Sequence, residues 1–304
     1  MPDLTDPTRA SDPSLRRRAF IGLSATTALA APTAVLAVDV FDFGRPHAPI
    51  VAEDDPAIVV ARPKLQSGAQ RTIDSYYAAP KDGTADGPGI VVVMHIWGVD
   101  AQIRDTVRRL AKAGYSVVAP DLYTGLAAPN GDGATESGDF QKAAAKLADD
   151  VVDADLAAGG VYLRSPAGGR AGKVGVTGFC MGGSIALRQT VDHPDVFAAA
   201  AVWYGKVRYG TTGGNGAITP IALAYADEIK IPLLGSFGRR DTGILADDVL
   251  ALDQRLASLR KPHDIKVYDT AGHAFFDDTR SSYDAFAAED AWKRTLAWVG
   301  TYLY

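Results

Sequence analysis

The stretch Lys173-Val174-Gly175-Val176-Thr177-Gly178-Phe179-Cys180-Met181-Gly182-Gly183-Ser184-Ile185-Ala186-Leu187 decides how the chain is read. Its first five residues form a short apolar run that reads as a buried strand, and Ser184 to Thr190 reads as the start of a helix. Between them stands Gly178-Phe179-Cys180-Met181-Gly182, the spacing of a nucleophile elbow with cysteine in the usual place of serine. Such a turn is sharp and strained, so its neighbours must lack a Cβ where strand and helix nearly touch. It lifts the sulfur clear of a sheet and aims a helix N-terminus at it, which favours a thiolate and later an oxyanion. A lone cysteine in a glycine-rich turn is otherwise only a small buried residue, so the reading needs partners downstream.

An elbow of this kind demands an acid and then a histidine, in that order. Ile231-Pro232-Leu233-Leu234-Gly235-Ser236-Phe237 reads as a strand, and the turn after it carries Asp241. His263 to Tyr268 reads as the last strand, and the loop after it carries His273. Both groups then lie at strand ends, where an active site of a parallel sheet is built. His273 would move protons, and Asp241 would hold its tautomer and stabilise the imidazolium. Asp121 also ends a strand, but it precedes the nucleophile and reads as structural. His47, His193 and His263 stand apart as linker, helix-end and strand-start residues.

Elsewhere apolar runs alternate with amphipathic segments. Ile90–Met94 reads as a central parallel strand. Asp100 caps a helix whose apolar face is Ile103, Val107, Leu110 and Ala111, stopped by Gly114. Thr72–Ala78 alternates and reads as a half-exposed strand. A loop rich in glycine precedes one long helix from about Asp139 to Ala157. Alternation of β and α implies an α/β fold, a mostly parallel central sheet with helices on both faces.

With 47% apolar and 22% charged residues over 304 positions, the chain supports one large domain and an N-terminal extension. A net charge of −5 argues against nucleic acid as a partner. The single cysteine rules out an intrachain disulfide, and the five scattered histidines suggest no metal site. No cofactor is expected. Residues 1–38 read as a signal peptide, 39–70 as a linker or N-terminal extension passing into a first strand or two, and 71–304 as the hydrolase domain. In the signal, Arg16-Arg17-Arg18-Ala19-Phe20-Ile21 precedes an uncharged, mildly apolar segment to Val38. That pattern resembles a twin-arginine export signal, implying the twin-arginine machinery as a partner and a bacterial, periplasmic or secreted protein. Membrane contact is then expected only during export, the alternative being an uncleaved signal that anchors.

Taken together, Ala119-Pro120-Asp121-Leu122-Tyr123, Gly178-Phe179-Cys180-Met181-Gly182-Gly183, Trp203-Tyr204-Gly205, Phe237-Gly238-x-x-Asp241 and Gly272-His273-Ala274-Phe275-Phe276 resemble the dienelactone hydrolase family. The resemblance covers roughly residues 70–303. It implies an α/β-hydrolase fold, a Cys180–His273–Asp241 triad and an oxyanion hole built from the backbone N–H groups of Ile96 and Met181. Two departures stand out. His95 takes the place of a glutamate that contacts the resting thiol in relatives, and with Trp97 and Tyr123 it is a candidate for lining the pocket or tuning the thiol. Asp277 stands where a substrate-binding arginine is expected, and no arginine occurs from Tyr123 to Leu163, which counts against dienelactone itself. The expected function is therefore hydrolysis of a small-molecule ester or lactone. The alternative is a non-catalytic exported binding protein on the same scaffold.

Overall fold

The elbow strand sits at the centre of the sheet. The computed structural model describes residues 43–83, 87–207 and 225–304. The export signal, residues 1–38, and the start of the linker lie outside the described residues. Ten strands are described: β1 (Ile58–Ala61), β2 (Leu65–Ser67), β3 (Arg71–Ile73), β4 (Ser75–Pro80), β5 (Gly89–Val93), β6 (Ser116–Pro120), β7 (Val174–Phe179), β8 (Ala199–Trp203), β9 (Leu233–Gly238) and β10 (His263–Tyr268). Eight of them form one sheet in the order β1-β4-β6-β5-β7-β8-β9-β10, while β2 and β3 make a separate hairpin. β1, β4 and β6 pair antiparallel, and every pairing from β6 to β10 is parallel. All residues of β5, β7, β8 and β9 are buried, as strands covered on both faces must be.

Helices α1 (Ala101–Lys112), α2 (Gly138–Ala144), α3 (Asp149–Arg164), α4 (Met181–Asp192), α5 (Ala246–Ser258) and α6 (Ala285–Leu303) cover the faces. The Asp100 carboxylate accepts the Ile103 N–H at 3.0 Å, satisfying one orphan donor at the start of α1. Ile103, Val107, Leu110 and Ala111 are buried, and Gly114 takes φ 107° just past the helix end.

The strands into which 39–70 was expected to pass are β1, in the main sheet, and β2 in the hairpin, and ahead of them Ile50 and Val51 donate their N–H groups to the Asp105 carboxylate at 3.0 and 2.9 Å. Two expectations change. The strand expected over Thr72–Ala78 is two strands, and Ser75–Ala79 are buried rather than half exposed. β1 and β6 pair with the two edges of β4, while α1 packs on it and the Tyr162 ring meets Tyr77 edge-on. The single helix expected from Asp139 is α2 and α3, separated at residues 145–148 where Leu147 turns inward and is buried. No glycine or proline marks that break. Asp149 and Asp150 start α3 with charges that suit its N-terminus.

At the elbow, glycine is demanded by close approach. A Cβ on Gly178 would collide with the Gly182 carbonyl, and one on Gly182 with the carbonyl oxygens of Val93 and Met94 at the end of β5. Gly182→Ala should therefore destabilise the fold by about 3 kcal/mol or more, because backbone rather than a flexible side chain must give way. A thermal melt should show a loss of roughly 6–12 °C. An unchanged melting temperature would contradict this tight apposition of β5 and α4.

Candidate active site

Three strand ends converge. Cys180 follows β7 and is the N-cap of α4, with φ 56° and ψ −115°. A non-glycine residue there costs of order 1–3 kcal/mol, and the packing just described holds it. Its own N–H donates to the Trp203 carbonyl at 3.1 Å, stitching the elbow to the end of β8. Asp241 follows β9 in a tight turn and is buried. Its Oδ1 accepts N–H bonds from Gly243 at 2.8 Å and Ile244 at 3.0 Å, which leaves Oδ2 for another partner.

That partner is His273, from the loop after β10. Nδ1 of the imidazole lies 2.6 Å from Asp241 Oδ2, and Nε2 lies 3.0 Å from Cys180 Sγ. The carboxylate has no proton to give, so Nδ1 donates and Nε2 faces the sulfur. Cys180, His273 and Asp241, expected together, are thus joined in one hydrogen-bonded chain.

The electrostatics of this chain oppose burial. Burial pushes the Cys180 thiol up, but the hydrogen bond and charge of His273, then the charge of His95 and the Met181 N–H, hold it below its ordinary value. Burial pulls His273 down, yet the hydrogen bonds of Asp241 and Cys180 and the charges of both raise it to about 10. Asp241 is pushed up by burial and held low overall by His273 and the two backbone donors. Sulfur and imidazole therefore titrate as a pair, and each shift favours the charged form of its group.

Above the sulfur lies a cavity of about 530 Å³ lined by residues of α2, α4 and the loops after β5, β8, β9 and β10. Ile96 and Met181 line it, as expected. His95, Trp97 and Tyr123 do not. The chain reverses after β5, with Gly98 N–H bonded to the His95 carbonyl at 3.1 Å, so only Ile96 faces the cavity. His95 is buried behind it, with Nε2 3.3 Å from Asp100 Oδ1 and Nδ1 accepting the Trp97 N–H at 3.2 Å. Burial disfavours a charge on this ring; Asp100, then Asp277 and Cys180, favour it, and the net shift is upward. A second proton would cost the Trp97 bond. The Trp97 ring packs edge-on to Phe140 and under the Arg280 guanidinium, 4.2 Å from its centroid. Tyr123 donates its hydroxyl to the Ile96 carbonyl at 2.8 Å and so orients the loop that presents Ile96.

Asp277 is not directed at the cavity: its carboxylate accepts from Arg280 Nε at 3.0 Å and from Thr279. Among the described residues no group of three or more His, Cys, Asp or Glu side chains is arranged to hold a metal ion. Several lining residues were not anticipated. Tyr204 has φ 38° and sets its ring edge-on to His273, 5.4 Å between centroids. Its sequence signal was the Trp203-Tyr204-Gly205 motif. Ala144, Ala145, Leu147 and Ile244 carry no local signal that would mark them.

A model of the dienelactone hydrolase family matches residues 73–303. An Escherichia coli K12 protein named "Putative carboxymethylenebutenolidase" is 37% identical over 253 residues, 83% of this chain and 91% of that protein. A protein of the same name from Methylorubrum extorquens is 33% identical over 299 residues, 96% of this chain and 95% of the other. The crystal structure titled "Putative Dienelactone Hydrolase" from Klebsiella pneumoniae superposes with a TM-score of 0.73 at 34% identity, covering 81% of this chain and all of that one.

The order of influences on the thiol generates a prediction. Iodoacetamide should alkylate Cys180 rapidly at a pH below that at which an ordinary thiol ionises. His273→Gln should move the midpoint of the alkylation–pH profile upward. His95→Gln should move it the same way by less. An unshifted profile in the His95 variant would show that the ring stays neutral, held by the Trp97 N–H.

Proposed function

This chain belongs to the dienelactone hydrolase family, and from that premise we propose that it hydrolyses a small-molecule ester or lactone with Cys180 as nucleophile. The observation that carries the proposal is the continuous chain from Cys180 Sγ through His273 to Asp241 Oδ2, with links of 3.0 and 2.6 Å. The thiolate attacks the carbonyl carbon, and the carbonyl electron pair moves onto oxygen. The N–H groups of Ile96 and Met181 donate hydrogen bonds to that oxyanion. As the tetrahedral species collapses, the alkoxide leaves with the Nε2 proton of His273, and the acyl group stays on sulfur as a thioester. His273, now neutral, takes a proton from water as the water attacks the thioester. The second collapse expels the thiolate and releases the acid, leaving the thiolate beside the imidazolium formed in the water attack. Asp241 holds the ring through Nδ1 and stabilises its charge in both halves. No step calls for a metal or cofactor.

The substitution of His95 for an acid favours the charged sulfur, because a carboxylate there would repel a thiolate. Binding without turnover would give this hydrogen-bonded chain no role. Cys180→Ala should lower turnover of p-nitrophenyl acetate by about 10⁴-fold or more, since no other nucleophile occupies the elbow. Near-wild-type rates in that variant would reject Cys180 as the nucleophile and return the binding-protein reading to the front.

The protein is exported folded through the twin-arginine route to the periplasm or medium, touching the membrane only in transit. Arg17-Arg18 followed by Ala19-Phe20-Ile21 supports this reading, together with the uncharged stretch to Val38. A folded, cytoplasmic protein is the expected result of the Arg17→Lys/Arg18→Lys double variant, read by fractionation of the cells. Normal export of that variant would reject the route.

A further inference from the structure

The wall of the cavity is made where the expected long helix breaks. α2 ends at Ala144, and Ala144, Ala145 and Leu147 turn toward the cavity. Met181 and Ile185, one turn apart on α4, extend the same apolar surface. Among the described lining residues, the only charged side chain outside the Cys180–His273–Asp241 chain is Lys206, and it is exposed. Of the hydroxyls, Ser184 Oγ already accepts the Lys206 N–H at 2.8 Å. The one polar lining residue of α2, Gln141, is exposed and donates an amide N–H to Ser137 Oγ at 3.0 Å, so a carboxylate or hydroxyl placed against Ala144, Ala145 and Leu147 would lose water and gain no side-chain donor from them. An apolar chain would gain by leaving water. The two alanines matter most, because their small side chains leave the space that a larger residue would fill.

We infer that the α2 wall is the acyl subsite, and that the substrates are esters of uncharged, apolar acids longer than acetate. Ala144 and Ala145 then act as specificity-determining residues. This rests on the hydrolase reading of Cys180, and it moves the substrate class away from compact, carboxylate-bearing lactones.

The test is steady-state hydrolysis of p-nitrophenyl acetate, butyrate and hexanoate by the full chain, with the Cys180→Ala rate subtracted. Each methylene laid on the wall should raise kcat/KM by about fourfold. A p-nitrophenyl hemisuccinate, which matches butyrate but ends in a carboxylate, should be the poorer substrate. Ala145→Phe and, separately, Ala144→Phe should lower the hexanoate-to-acetate ratio by about tenfold. Thermal melts identify the folded variants, and two positions are used so that one folded variant suffices. Equal use of all three chain lengths, preference for the hemisuccinate, or an unchanged ratio in a folded Phe variant would overturn the acyl subsite while leaving the hydrolase reading intact. Absence of any Cys180-dependent hydrolysis would overturn both.

Discussion

Everything in this molecule is arranged around the forced turn at Cys180. Its φ of 56° is one that residues with a side chain avoid. It persists because β7 lies between β5 and β8, and α4 is driven back onto both. At Gly182 the helix backbone touches the end of β5, and at Gly183 an added Cβ would collide with the Trp203 carbonyl at the end of β8. Sheet packing thus supplies the free energy that the turn costs. In return the sulfur is held at the positive end of a 12-residue helix, clear of the strands.

The second constraint is electrostatic. Burying a thiol and a carboxylate beside an imidazole that stays partly exposed works against every charge among them. The chain resolves this by giving each group a partner at short range, and by giving Asp241 two further backbone donors. The same logic is repeated just behind the site. The loop after His273 carries Asp278, which is buried and meets Arg109 at 2.5 Å, while Arg109 also meets Asp105. Burial raises Asp278 in spite of that partner. Asp105 in turn receives the N–H groups of Ile50 and Val51, and Gly44 donates to the Asp278 carbonyl at 2.8 Å. Removing one member of such a buried set costs more than the whole set contributes, since a charge would be left without its partner. Residues 44–51, ahead of β1, therefore help to fix the loop that positions His273.

His95 shows how one substitution is absorbed. The turn over residues 95–98 buries the ring, and Asp100 serves two functions: capping α1 and facing Nε2 of His95. Its neighbour Ile96 faces the cavity, steadied by the Tyr123 hydroxyl. The departure from the family pattern thus bears on the charge around the sulfur and leaves the surface seen by a substrate unaltered.

Much of this was legible in the residues alone. The α/β order, the cap at Asp100, the elbow, and the sequence of nucleophile, acid and histidine are all written locally. Periodicity betrays strands and helices, and glycine marks places where a Cβ cannot fit. Those signals depend on near neighbours in the chain, so they survive without a structure. What tertiary structure decided is which face each segment hides. Nothing local in Thr72–Ala78 says that β1, β6, α1 and the Tyr162 ring will pack around it. The alanine-rich run after Asp139 holds no residue that marks a helix end, yet α2 stops at Ala144 and α3 begins at Asp149. The same holds for residues 95–97, where a reversal of the chain sends Ile96 to the cavity and His95 behind it. Order along the chain is a matter of covalent neighbours. Burial and the shape of the cavity depend on what folds back from tens or hundreds of residues away, and that is settled only when the sheet is assembled.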